Sequence, residues 1–431
     1  MGKGGDRQRR RACWQESVRA GRREHYPYQV ITSKAEVLDT VGKWAQAEEL
    51  YRSQLQWARN AGLPGCEAAS LNALGWMHHQ RGEDDKAREL ISRALSIYTD
   101  LNDVGGLAQA HSQLGGAHFQ IGEYPEALGH YRRAQELSKQ LGDLQSEAKA
   151  MNNIGNILGE QGDDPGALAL YQRVLEVSLK SGNVFMEAVV SGNIGASQLS
   201  AREYGRALEM FSRQLELGGR LGHKLLMSAA YGSLAGVHLK MGELDRALEY
   251  ISQRIRMAEE TGDIKGQAMA WDYLGNVHYT KGEHGPAESA FLKAVQLGRR
   301  ANIKFFLCSF LQNLACLYLD TDRPSQAAEA NGQALELAGE MGLPEAAFVS
   351  RRIAAKILAL SDPQAAANAL NDLLPQAGDK EREAEVLASL FEVTGDDDSR
   401  LAALKLYREL NGKTPTAEYG QTILRLERAK K

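Results

Sequence analysis

An all-α solenoid of antiparallel helical hairpins is the fold class this sequence predicts, on three observations. Small residues return every forty positions: Gly75, Gly115, Gly155, Gly195 and Gly275 share one phase, with Ala235 and Ala315 in the same place. Ala47, Ala87, Ala127, Ala167, Ala207, Ala247, Ala287, Ala327 and Ala367 share a second. Between these marks, each block carries two amphipathic stretches at helical spacing, separated by a short turn. A fixed period of this length is the mark of stacked helical repeats, which form one elongated array rather than separate globular domains.

Residues 1–24 show no repeat phase and are rich in Arg and Gly, as expected of a basic flexible arm. The regular array is expected over 25–343. Its first explicit helix carries Trp44, Ala47, Tyr51, Leu55 and Ala58. In the block from Gly65, helix A carries Leu71, Leu74, Gly75 and His78, and helix B carries Ala87, Ile91, Ala94, Leu95 and Tyr98. Gly82, Gly122, Gly162, Gly242 and Gly282 fall between helix A and helix B, where a left-handed residue ends a helix. Arg202 and Asp322 interrupt that series, so those two turns are expected to differ. The second turn carries Gly or Asn throughout, from Gly62 and Asn102 to Asn302 and Gly342. Glycine at the Gly155 phase lets helix A approach its partner. The series Tyr51, Ile91, Tyr131, Tyr171, Phe211, Ile251 and Phe291 fills the space between successive hairpins. Residues 344–412 read as degenerate repeats, with Ala403 and Tyr407 in helix B roles, and 413–431 as a capping helix and tail. The acidic run Asp396–Asp398 reads as a turn and helix start.

Composition narrows the functional classes. A formal net charge of −4 offers no global attraction to nucleic acid or an anionic membrane. Four cysteines form no CxxC pair, and the plain expectation is a reduced, cytoplasmic setting without a metal. No phosphate loop, dinucleotide fingerprint, HExxH or GxSxG occurs, so no cofactor is implied and an enzyme is not expected. His78, His118, His238 and His278 share one phase. Stacked helices stand about 8–10 Å apart, too far for all four to meet one ion, so they are expected to pack at the hairpin interface.

The recurring pattern of Asn153, Ile154, Gly155, Gly162, Ala167, Tyr171 and Leu175 resembles the tetratricopeptide repeat (TPR) family over roughly residues 26–410. The forty-residue spacing is similar to the longer-helix subclass of Pins-type and rapsyn-like scaffolds and bacterial signalling proteins. The resemblance implies a right-handed superhelix whose A helices line a concave groove. Counting from the Gly155 phase, the groove face carries Asn72, Trp76, Gln80, Gln109, Phe119, Lys149, Asn152, Asn156, Asp272, Asn276, Tyr279 and Gln312. Amides offer donor and acceptor to a peptide backbone, and Trp76, Phe119 and Tyr279 offer aromatic anchors. Between them Gly192, Ala196, Gly232 and Gly236 leave a smooth stretch. The family's carboxylate clamp needs several Lys and Arg at these positions; Lys149 with Asn156 is only a partial match, which disfavours a chaperone C-terminus.

Two functions follow as expectations. One is a scaffold binding a peptide or helical segment of another protein in the groove. The other is a ligand-gated sensor whose superhelix changes when a small peptide or metabolite enters. Neither involves nucleic acid, membrane or metal.

Overall fold

The computed structural model describes residues 31–35, 37–38 and 44–429; the expected N-terminal arm lies outside them. These residues form helices joined by short turns and divide into two compact units, the boundary falling between Ser197 and Gln198.

The first unit contains α1 (Trp44–Ala61), α2 (Pro64–Gln80), α3 (Asp84–Asp100), α4 (Val104–Gln120), α5 (Tyr124–Gln140), α6 (Leu144–Glu160), α7 (Asp164–Ser181) and most of α8 (Val184–Ser200). The second continues with α9 (Tyr204–Leu221), α10 (Lys224–Met241), α11 (Leu244–Thr261), α12 (Ile264–Thr280), α13 (His284–Arg300), α14 (Lys304–Asp320) and α15 (Pro324–Glu340). It ends with α16 (Pro344–Leu358), α17 (Pro363–Leu373), a 3₁₀ turn Leu374–Gln376, α18 (Lys380–Thr394), α19 (Asp397–Lys413) and α20 (Ala417–Arg428). Even-numbered helices through α18 are the A helices. The expected all-α solenoid of hairpins is what the chain forms.

Local chemistry sets the ends. Asp103, Asp143, Asp163 and Asp263 each accept from a backbone N–H three residues on, at 2.9–3.1 Å, satisfying groups that a helix start leaves free. Asp396 does the same for Ser399 at the start of α19.

The turns at Arg202 and Asp322 do not differ from the others. Gly82 has φ +74°, and Arg202 and Asp322 adopt +60° and +56°. All three turns close alike: Gly82 N–H donates to His79 O, Arg202 N–H to Leu199 O, and Asp322 N–H to Leu319 O. The bonds that satisfy the helix-end carbonyls outweigh the strain of a side chain in the left-handed region, about 1–2 kcal/mol. Asp322→Gly is therefore expected to stabilise the chain by about 1 kcal/mol, read as a higher melting temperature.

Packing explains the glycine phase. A Cβ on Gly75, Gly115, Gly155 or Gly275 would fall 2.4–2.8 Å from the side chain of Ile91, Tyr131, Tyr171 or Phe291. The bulky B-helix residue thus lies over the glycine of its own hairpin as well as against the next: Tyr131 packs with Ala127 and with Ile154 and Ile157.

In the second unit α20 buries Tyr419 and Leu426 among Ala384, Ala403 and Tyr407 of α18 and α19. It also reaches the unit's beginning. Arg202, in the turn before α9, pairs with Glu381 at 2.5 Å and lies over the Tyr419 ring, whose hydroxyl donates to Glu381 at 2.7 Å.

Candidate functional site

In the first unit the A-helix face combines accessible and buried groups. Gln80, Gln109 and Lys149 are exposed, while Trp76 and Phe119 are half-buried, so α2, α4 and α6 each contribute. Trp76 lies beside His79 at 5.1 Å between ring centres, and Phe119 beside Tyr124 at 5.8 Å. Lys149 keeps exposed surface, yet the protein around it desolvates the ammonium and lowers its pKa.

Asn72, Asn152, Asp272 and Gln312 are buried, because the −3 position of each A helix faces the next A helix. Asn193 donates to Asn152 at 2.8 Å and to Asn156 at 3.2 Å, and the Tyr171 hydroxyl donates to Asn156 at 2.8 Å. Burial pushes the Tyr171 hydroxyl up to about 12. The same constellation returns three repeats later with an acid in it. Asn313 donates to Asp272 Oδ1 at 2.9 Å, and Asn276 to its Oδ2 at 3.2 Å. Burial raises that carboxyl to about 7, against the lowering effect of these bonds. Gln312 donates to Ala346 O and Ser350 Oγ, both at 2.9 Å, whereas Asn72 Oδ1 has no partner. Much of the amide array thus serves junctions between repeats, leaving Asn156 and Asn276 half-buried above them.

A polar cavity of about 350 Å³ lies in the second unit between α16, α18 and α20, with Tyr279 of α12 and Tyr407 at its sides. Arg352 pairs with Glu385 at 3.3 Å; Lys356 and Arg425 converge on Glu392 at 3.0 and 2.9 Å. Burial holds Glu385 above the usual carboxylate range. Tyr279 donates its hydroxyl to Asp320, and burial followed by that carboxylate raises its pKa. Of the groove-face residues counted from the sequence, Tyr279 alone lines this cavity. Arg352 and Lys356 escaped notice, although they stand three before and one after Ala355, the offsets of Asn152 and Asn156 from Gly155.

The phased histidines have one repeated task. His78, His118, His238 and His278 place Nδ1 within 2.5–3.1 Å of Glu83, Glu123, Glu243 and Glu283, tying the end of helix A to the start of helix B. Among the described residues no helix is long and apolar enough to cross a membrane.

The sequence matches the tetratricopeptide repeat family over residues 29–100 and 106–180, and the family of anaphase-promoting complex subunit 5 over 195–281. A comparison with curated proteins finds no match. Among solved structures, a Rap protein complexed with competence and sporulation factor has a TM-score of 0.57 at 15% identity, covering 84% of this chain and 98% of that one. The Rap conjugation gene regulator of plasmid pLS20, in complex with the Phr* peptide, gives 0.55 at 13% identity, covering 74% and 95%. The apo form of RapI gives 0.54 at 17%, covering 64% and 99%. At such identities the likeness is one of fold. The hairpins, turns and glycine contacts of the matched segment continue through the later helices, so the chain folds as an all-α solenoid of tetratricopeptide-type hairpins.

Proposed function

We propose that this chain is a protein-interaction scaffold whose A-helix face takes a peptide or helical segment of a partner protein. One observation carries the reading: Trp76 and Gln80 of α2, Gln109 and Phe119 of α4, and Lys149 of α6 keep accessible surface, while Asn152 of α6 is buried and bonded to Asn193 of α8. Aromatic, amide and ammonium groups on consecutive helices suit a chain that needs anchors and backbone hydrogen bonds.

The test is affinity capture from native lysate with the wild-type chain and with a variant carrying Gln80→Ala, Gln109→Ala and Lys149→Ala. None of the three is buried, so circular dichroism should match. A protein held by the wild type and lost by the variant supports this face as the site. Equal retention rejects it.

The cavity under α20 favours a second reading, a sensor for a small peptide or metabolite. Entry of a ligand between α16 and α20 would shift α20 against α16 and α18, and through the Arg202–Glu381 pair and the Tyr419 ring that movement reaches the start of the same unit. Compaction in small-angle scattering on adding the ligand would favour this reading over a rigid scaffold.

A further inference from the structure

The second unit holds two buried charges that the fold itself does not pair, one repeat apart at the junctions of its A helices. The first is Arg254 of α11. Equivalent B-helix positions carry Ala94, Ala134, Val174, Gln214, Ala294 and Ala334. Arg254 fits because residue 232 is glycine: a Cβ there would lie 2.1 Å from Arg254 Nη1. Its guanidinium reaches Met269 Sδ at 3.4 Å and stands over Tyr273 at 5.8 Å, both on α12. Nε is buried without a hydrogen-bond partner, and only 7% of the residue is exposed. An arginine cannot shed its charge as a carboxyl can, so burial without an acid is costly.

The second is Asp272 of α12, also 7% exposed, with an amide on each oxygen and no cation among the described residues paired with it. The chain provides its own control. Asn152 occupies the same place in an equivalent network with Asn156 and Asn193, so the junction does not require a charge. Tyr273 lies between the two sites, and the bare Gly236 leaves no side chain over that stretch of α10; a Cβ there would stand 3.3 Å from the Tyr273 hydroxyl.

We propose that Arg254 and Asp272 form a paired subsite for an extended peptide carrying one acidic and one basic side chain, the acid over Arg254 and the base over Asp272. This deepens the scaffold reading and rests on it. Neighbouring helices pack about 8–10 Å apart. An extended chain advances about 3.3 Å per residue, so acid and base stand two or three residues apart. An incoming ammonium or guanidinium takes the place of Asn276 on Oδ2, the longer of the two amide contacts. The peptide carboxylate supplies the acceptor that Arg254 Nε lacks.

The experiment measures retention of synthetic peptide libraries with identical random flanks by the full chain. The fixed centre holds acid and base at this spacing, acid alone, base alone, or neither. Proteins are the wild type, Arg254→Met and Asp272→Asn, each shown to be folded by circular dichroism. The wild type should prefer the acid-and-base library over the neutral one by about tenfold or more, as expected for a charge-assisted contact. Arg254→Met should lose the preference for the acid only, and Asp272→Asn that for the base only. Equal retention of all libraries, or variants that discriminate as the wild type does, overturns the paired subsite and leaves the scaffold reading standing. Retention of no library by the wild type overturns both.

Discussion

Asp272→Asn raises the stability of the folded chain at about pH 8 and by less than half as much at about pH 5. Burial lifts the carboxyl from an ordinary 3.8 to about 7 in the folded state. Between those values the folded chain holds a proton that the unfolded chain has released. Stability therefore falls as pH rises through this window, and the full cost is present above about 7. A shift of this size sets a ceiling of roughly 4 kcal/mol on the gain, with relaxation reducing what is realised. The substituted amide can be accommodated as Asn152 is, with the neighbouring amides turned to supply an acceptor. Urea unfolding of both proteins at the two pH values decides the matter. An equal gain at both would trace the effect to packing rather than charge. A loss at the higher pH would mean that the ionised acid supports the junction after all.

Phe291→Ala lowers stability by about 3–5 kcal/mol, the cost of emptying a fully buried aromatic site. Gly275→Ala alone costs about 1–3 kcal/mol, because its methyl would stand 2.4 Å from the Phe291 ring. The informative protein is the double variant, in which the added methyl enters the vacated room. Its cost should fall below the sum of the two by more than the few tenths of a kcal/mol expected of independent sites. A chemical-denaturation cycle over the four proteins measures this coupling. Strict additivity would show that the glycine serves some other need, such as backbone approach, and that the ring does not dictate it.

The sequence by itself determined the repeat, the pairing of helices and the turn positions. Each is a local property: periodicity reports which face of a helix is apolar, and glycine or asparagine reports where the backbone turns left-handed. Even at Arg202 and Asp322, where the residue type broke the pattern, the geometry followed the period, because the helix-end hydrogen bonds govern.

What the tertiary structure decided was which polar residues remain available. Counting along a helix places Asn152, Asn156, Asp272 and Asn276 on one face. Burial of Asn152 and Asp272 under that face depends on Asn193 and Asn313, a repeat away. The glycine at 232 reads as a smooth surface until Arg254 is seen filling it from the neighbouring helix. The cavity beside Tyr279 needs α20 brought against α16 and α18, and the Arg202–Glu381 pair joins residues 179 apart in sequence. A helical period carries no information on contacts at that separation, since it fixes each helix's own faces and not the side chains that its neighbours bring to them.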